Sequence, residues 1–203
     1  MRLNARYAIV AYLVAIVVAN LLFSAVLDPE AGYSLSTQLA ADFAICFAFI
    51  GLDMALRDTL HESWSHNRLF LRMSTLILAG SALSYAINYA LNAAATDIVV
   101  RVATASFLAF AAAGFTDFGI YHSLRRRSPM ARINASNLPS ALVDSLVFPL
   151  VAFGLPMLWS FFAVEFAAKL VGGLLWSIVL VRRGYFDRGN IAGESAAGHF
   201  VDA

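Results

Sequence analysis

Charge is what this sequence lacks most. Lys, Arg, Asp and Glu make up 13% of its 203 residues, about half the share usual in a globular domain. So few charges cannot cover a water-soluble globule whose residues are 61% hydrophobic. With a mean hydropathy of +0.74, the chain must use lipid as its solvent. Its formal net charge of +1 gives no sign of a nucleic-acid or acidic partner. The single cysteine, Cys46 in an apolar run, excludes an intrachain disulfide and reads as filler. Absent too are a Gly-x-Ser-x-Gly elbow, a Gly-rich phosphate loop and any Cys cluster. His61-Glu62 with His66 superficially resembles the zincin helix. An i,i+5 pair sits about 140° apart round a helix, however, and cannot chelate one zinc as an i,i+4 pair does. The reading is therefore of no enzyme, no metal and no cofactor.

What is present is a series of long apolar runs. About 20 such residues cross the hydrocarbon as a helix, and six stretches qualify, at roughly 7–27, 35–56, 69–93, 98–124, 138–157 and 158–181. The chain reads as an all-α integral membrane protein of about six transmembrane helices. Arg2 and Arg6 precede a first run too long for a signal-peptide core, so that run is taken as the first helix. The breaks fall at Asp28-Pro29-Glu30 and Gly32, the charged 57–68 segment, a short turn at 94–97, and the loop Arg125–Asn134. Almost nothing polar separates the fifth and sixth runs near Pro156, where a tight outer turn competes with one long kinked helix.

Cations set the orientation. Arg2 and Arg6, then Arg57, Arg68 and Arg72, then Arg125, Arg126, Arg127 and Arg132, then Arg182, Arg183 and Arg188 all fall on one side of a six-span bundle. The other side holds Asp28, Glu30 and Asp97, with Arg101 the only cation nearby. Both termini are thus cytoplasmic, in a multi-pass protein of the cell (inner) membrane. A single transmembrane domain spans 1–188, and the Ala-, Gly- and Ser-rich 189–203 reads as a disordered cytoplasmic tail. Membrane lipid surrounds the bundle, and a homo-oligomer is compatible with the sequence.

Polar groups at membrane depth cost several kcal/mol on insertion scales, so each asks for a partner or a function. Asn20 and Ser24 lie a turn apart in helix one. Asp53 and Arg57 are spaced i,i+4 at the inner end of helix two, with His61 a turn later. Helix three carries Ser81, Tyr85, Asn88 and Asn92 as one polar stripe. Helix four opens with Asp97 and Arg101, while Ser106 and Asp117 share a face three turns apart. Helix five repeats Ser136, Ser140 and Asp144 every fourth residue, with Asn137 and Ser145 beside them. Helix six holds Glu165 and Lys169 at i,i+4, and Lys169 is the only lysine in the chain. Each has a structural reading: a helix–helix hydrogen bond for Asn20, an ion pair for Asp53–Arg57, a surface partner such as Arg125 for Asp117, a packing salt bridge for Glu165–Lys169. Together they suit a binding site for a small polar solute better than catalysis.

Arg101-Val-Ala-Thr-Ala-Ser106-Phe-Leu-Ala-Phe110, then Asp117, Ile120-Tyr121 and Leu124-Arg125, resembles helix four of the queuosine precursor transporter family, also called the vitamin uptake transporter family. Ser136-Asn137, Ser140, Asp144-Ser145 and Phe148 look like its next helix. Asn20, Asp53 with Arg57, and Glu165 with Lys169 fall where that family also has polar residues. The resemblance runs in order over roughly 15–180 and implies import of a 7-deazaguanine such as preQ0 or preQ1. Such a base has a guanine-like edge with two donors and a carbonyl. On this reading Asp144 or Glu165 accepts from the donors, Asn137, Arg101 or Lys169 faces the carbonyl, and Phe110, Tyr85 or Phe166 stacks on the ring. The competing reading is the substrate-binding subunit of an energy-coupling-factor importer. It would need a small-residue docking face, to which Ala11, Ala15 and Ala19 of helix one correspond loosely.

Overall fold

In hydrocarbon each backbone polar group must be satisfied within its own segment, which favours continuous helices. The computed structural model describes residues 5–26, 32–64, 68–91, 96–156 and 159–183, and every regular element among them is helical. The elements are α1 (Ala5–Val26), α2 (Leu35–Ile45), a π-helical turn (Cys46–Ile50), α3 (Gly51–Trp64), α4 (Leu69–Leu91), α5 (Thr96–Ser123), α6 (Pro129–Phe153) and α7 (Trp159–Arg182). Because α2, the π turn and α3 run on as one rod over Leu35–Trp64, six helices among the described residues are long and apolar enough to cross a membrane. The chain is a multi-pass membrane protein.

Two boundaries differ from the sequence reading. The second span continues to Trp64, past the expected end at 56. Its charged last turns stay helical because Arg57, Asp58 and His61 are buried against neighbouring helices. The fifth begins at Pro129 and not at 138. Ser128 caps it by accepting from the Ala131 amide, and proline suits the first helical position, where no amide partner is needed. The expected 125–134 loop shrinks accordingly. Near Pro156 the outcome is a turn: Gly154, at φ 79°, ends α6 in a conformation that favours glycine, and α7 starts at Trp159. The Asp28–Glu30 loop, Asn92, His66 and the expected tail lie outside the described residues.

Packing places α7 against α3, the π turn and α6, and α1 against α3 and α4. A Cβ added at Gly51 would come 2.5 Å from the Gly172 carbonyl carbon, and one at Gly172 would strike the Phe47 backbone. Those glycines let two backbones touch, as small residues do between membrane helices. The π turn lies at this crossing, and the Trp176 indole N–H donates to its Ala48 carbonyl at 2.9 Å. The buried side of α1, formed by Ala8, Tyr12, Ala15, Ile16 and Ala19, faces its own bundle. Ala15 and Ala19 therefore offer no outward docking face.

Candidate functional site

Lys169 is buried at the middle of α7. Its Nζ donates to Asp144 Oδ2 at 2.9 Å, to Glu165 Oε2, and to Ser145 Oγ at 3.3 Å. The i,i+4 spacing on α7 supplies Glu165, and α6 supplies the other two. The second charged pair comes from α3, where Arg57 Nε lies 3.4 Å from Asp53 Oδ2. That contact leaves both Asp53 oxygens and the Arg57 Nε and Nη1 without a hydrogen bond. The Arg57 guanidinium sits 5.7 Å from the centroid of the Phe110 ring. On α6 the Ser140 hydroxyl donates to the Ala113 carbonyl at 3.0 Å, joining α6 to α5.

These groups converge on a narrow cleft, so constricted that it has room for about one water molecule. Asp53, Arg57, Phe110, Ser140, Asp144 and Lys169 all line it, with apolar walls from Ile50, Met54, Ala113 and Ala141. Glu165 stands behind Lys169. Asn137 is buried with neither amide atom hydrogen-bonded, its Nδ2 3.2 Å from where a Cβ on Gly173 would be. Two acids, Asp53 and Asp144, and two cations, Arg57 and Lys169, line the cleft, and two further buried acids stand outside it, Glu165 beside Lys169 and Asp117 within reach of Arg57.

The other candidates lie elsewhere. Asn20, Asn88 and Ser106 form a neutral network tying α1, α4 and α5. Asn20 Oδ1 accepts from Ser84 Oγ at 2.9 Å and Asn88 Nδ2 at 2.6 Å, and the Ser84 and Ser106 hydroxyls are 2.6 Å apart. The buried face of α4 thus runs through Ser81, Ser84 and Asn88; it shares Ser81 and Asn88 with the expected stripe and has Ser84 where the stripe had Tyr85. Tyr85 stacks on Tyr89 and borders a separate groove with Ala82, Thr104 and Phe107. Arg101 is exposed at the opposite end of α5 from Asp117, near Gly154. Phe166 stacks on Phe162 and does not line the cleft. Asp117 is buried within reach of Ser136 and Arg57, while Arg125 and Arg126 are exposed.

Sequence reasoning missed Asp42, Asp58, Glu62, Ser84 and Arg132. Asp42 is buried within electrostatic reach of Glu165 and Lys169. Asp58 is buried with neither oxygen hydrogen-bonded. Glu62 Oε1 accepts from Arg132 Nη1 at 2.7 Å and from the Tyr121 hydroxyl at 2.9 Å. For Asp58 the i,i+5 offset from Asp53 hid the shared environment. For Arg132 the clue was its place beside the Arg125–Arg127 anchor, which read as part of it.

Residues 90–182 match a family model described as "Putative vitamin uptake transporter". The matched stretch takes in α5, α6 and α7, and with them Phe110, Ser140, Asp144, Glu165 and Lys169; Asp53 and Arg57 precede it. No curated protein and no solved structure matches the chain. The match and the six-helix membrane fold support a transporter.

Proposed function

We propose that this chain imports a queuosine precursor, a 7-deazaguanine such as preQ0 or preQ1, by binding the base in the cleft between α3, α5, α6 and α7. The observation that carries the reading is the composition of that cleft. It holds buried acceptors and donors that lack hydrogen bonds, both Asp53 oxygens and the Arg57 Nε and Nη1, and an aromatic ring, Phe110, borders it next to that guanidinium. A ligand that brings donors on one edge and a carbonyl beside them answers both sets. Asp144 takes the N1–H and the exocyclic amine, Arg57 or Lys169 faces the carbonyl, and Phe110 stacks on the ring. Placing a hydrogen-bonding ligand against these groups leaves fewer buried polar atoms unsatisfied, which is where the binding energy comes from.

Energy-coupling-factor docking through the alanine stripe of α1 finds less support, because Ala15 and Ala19 are buried in the bundle. Uptake into proteoliposomes holding this chain alone is the test. Labelled preQ1 should enter, unlabelled preQ0 or preQ1 should compete, and adenine should compete at least ~100-fold more weakly, since it would leave the site's polar groups unpaired. Equal competition by adenine, or no uptake by well-folded protein, would contradict the reading.

A further inference from the structure

The three helices that line the cleft from one side all run on to a second polar cluster nearer the cytoplasmic end. On α3, Glu62 lies nine residues beyond Asp53, about 13 Å along the axis at 1.5 Å per residue. On α5, Tyr121 lies eight residues beyond the cleft-lining Ala113, and on α6 Arg132 lies eight residues before Ser140; each step is about 12 Å. Three separate helices therefore reach one level, and there they are tied together. Glu62 Oε1 accepts from both Arg132 Nη1 and the Tyr121 hydroxyl, and the Arg132 guanidinium covers the Tyr121 ring at 5.0 Å. The pair's side chains are 10% and 12% exposed.

Between the cleft and this tie lie buried polar atoms without hydrogen bonds, both Asp58 oxygens and Asp117 Oδ1, and at the tie both His61 ring nitrogens are likewise unbonded, the ring 4.7 Å from that of Tyr121. Buried polar groups are normally satisfied. A line of unsatisfied ones, leading from a cleft too narrow for a base to a charged tie, suits a route that is wet when the helices part and closed as described. The geometry points to Glu62, Arg132 and Tyr121 as the cytoplasmic gate of the transport path, whose release opens the cleft to the inside. This rests on the transport reading, and it adds the residues that control exit. A charge-assisted tie of this kind gives two discrete arrangements and no continuum, which a gate requires.

The test uses Ser136, which is fully buried on α6 between Ser140 and Arg132. A Ser136→Cys protein, in a Cys46→Ser background, is exposed to a membrane-impermeant thiol reagent from the cytoplasmic side of inverted vesicles. Glu62→Gln should speed labelling about tenfold, and Tyr121→Phe, a gentler change, about threefold. The exchange Glu62→Arg with Arg132→Glu should restore slow labelling. Labelling that stays slow in Tyr121→Phe and in Glu62→Gln would overturn the gate, as would a charge exchange that labels as fast as Glu62→Gln. Because the readout needs no substrate, a failed gate and a failed substrate assignment are told apart: the first shows in labelling, the second in uptake.

Discussion

Lys169 concentrates the energetics of the site in one side chain. It is buried and pairs with Asp144 and Glu165 at once, so its removal strands two carboxylates in a low-dielectric interior. Breaking a buried pair by deleting one partner costs about 3–5 kcal/mol. Lys169→Ala should therefore lower the apparent unfolding midpoint in detergent strongly, whereas Asp144→Asn, which leaves Glu165 as counter-charge, should lower it little. Equal midpoints for the two variants would contradict the arrangement. This residue was legible in the sequence, being the only lysine and lying i,i+4 from an acid inside an apolar run. Ser84 was not, because serine is unremarkable in such a run and only the register of α4 shows that its hydroxyl meets Asn20 and Ser106. Arg101, a lone cation at a span's start, stood out in the sequence, and the fold leaves it exposed and away from the cleft.

At the scale of elements, the π turn and the glycine notch decide how close α7 comes to the second span. Gly172→Ala would drive a methyl group into the Phe47 backbone, which cannot rotate away as a side chain can. Overpacking costs about 1–3 kcal/mol, and a backbone clash belongs at the top of that range. The same change at Gly119, where nothing lies within 4 Å of the added carbon, should be neutral or stabilise by up to about 1 kcal/mol through helix propensity. Thermal unfolding of the two alanine variants in one detergent checks the contrast, and a Gly172→Ala protein as stable as the parent would refute the close crossing. Helix boundaries were legible only where hydropathy and packing agree. Apolar runs report contact with lipid, so 57–64 and 129–137, where Arg57, Asp58, His61, Arg132, Ser136 and Asn137 turn inward, dropped out of the second and fifth spans. The turn at Gly154 was left open in the sequence because a short bend between two apolar runs has almost no polar content.

For the whole molecule, the number of spans and their direction follow from physical constraints that a sequence displays openly: hydrocarbon thickness fixes run length, and arginine fixes the inner side. What no linear reading supplies is which polar stripes share a cavity. Asp53, Arg57, Phe110, Ser140, Asp144 and Lys169 meet in one cleft, while Asn20, Asn88 and Ser106 meet in another place altogether, where hydrogen bonds from Asn88 to Asn20 and through Ser84 to Ser106 hold α1, α4 and α5 together. The separation gives the bundle a neutral tie, a charged centre and a charged tie, in a form closed around the centre. The central claim is that this charged centre holds a guanine-like base. It is tested most directly by titrating the purified protein with preQ0, preQ1, guanine and adenine beside a folded Asp144→Asn variant. The account predicts binding of a deazaguanine that weakens about 10- to 100-fold in the variant, the worth of a hydrogen bond to a charged group. Binding that is undiminished in the variant, or absent for every purine, would contradict it.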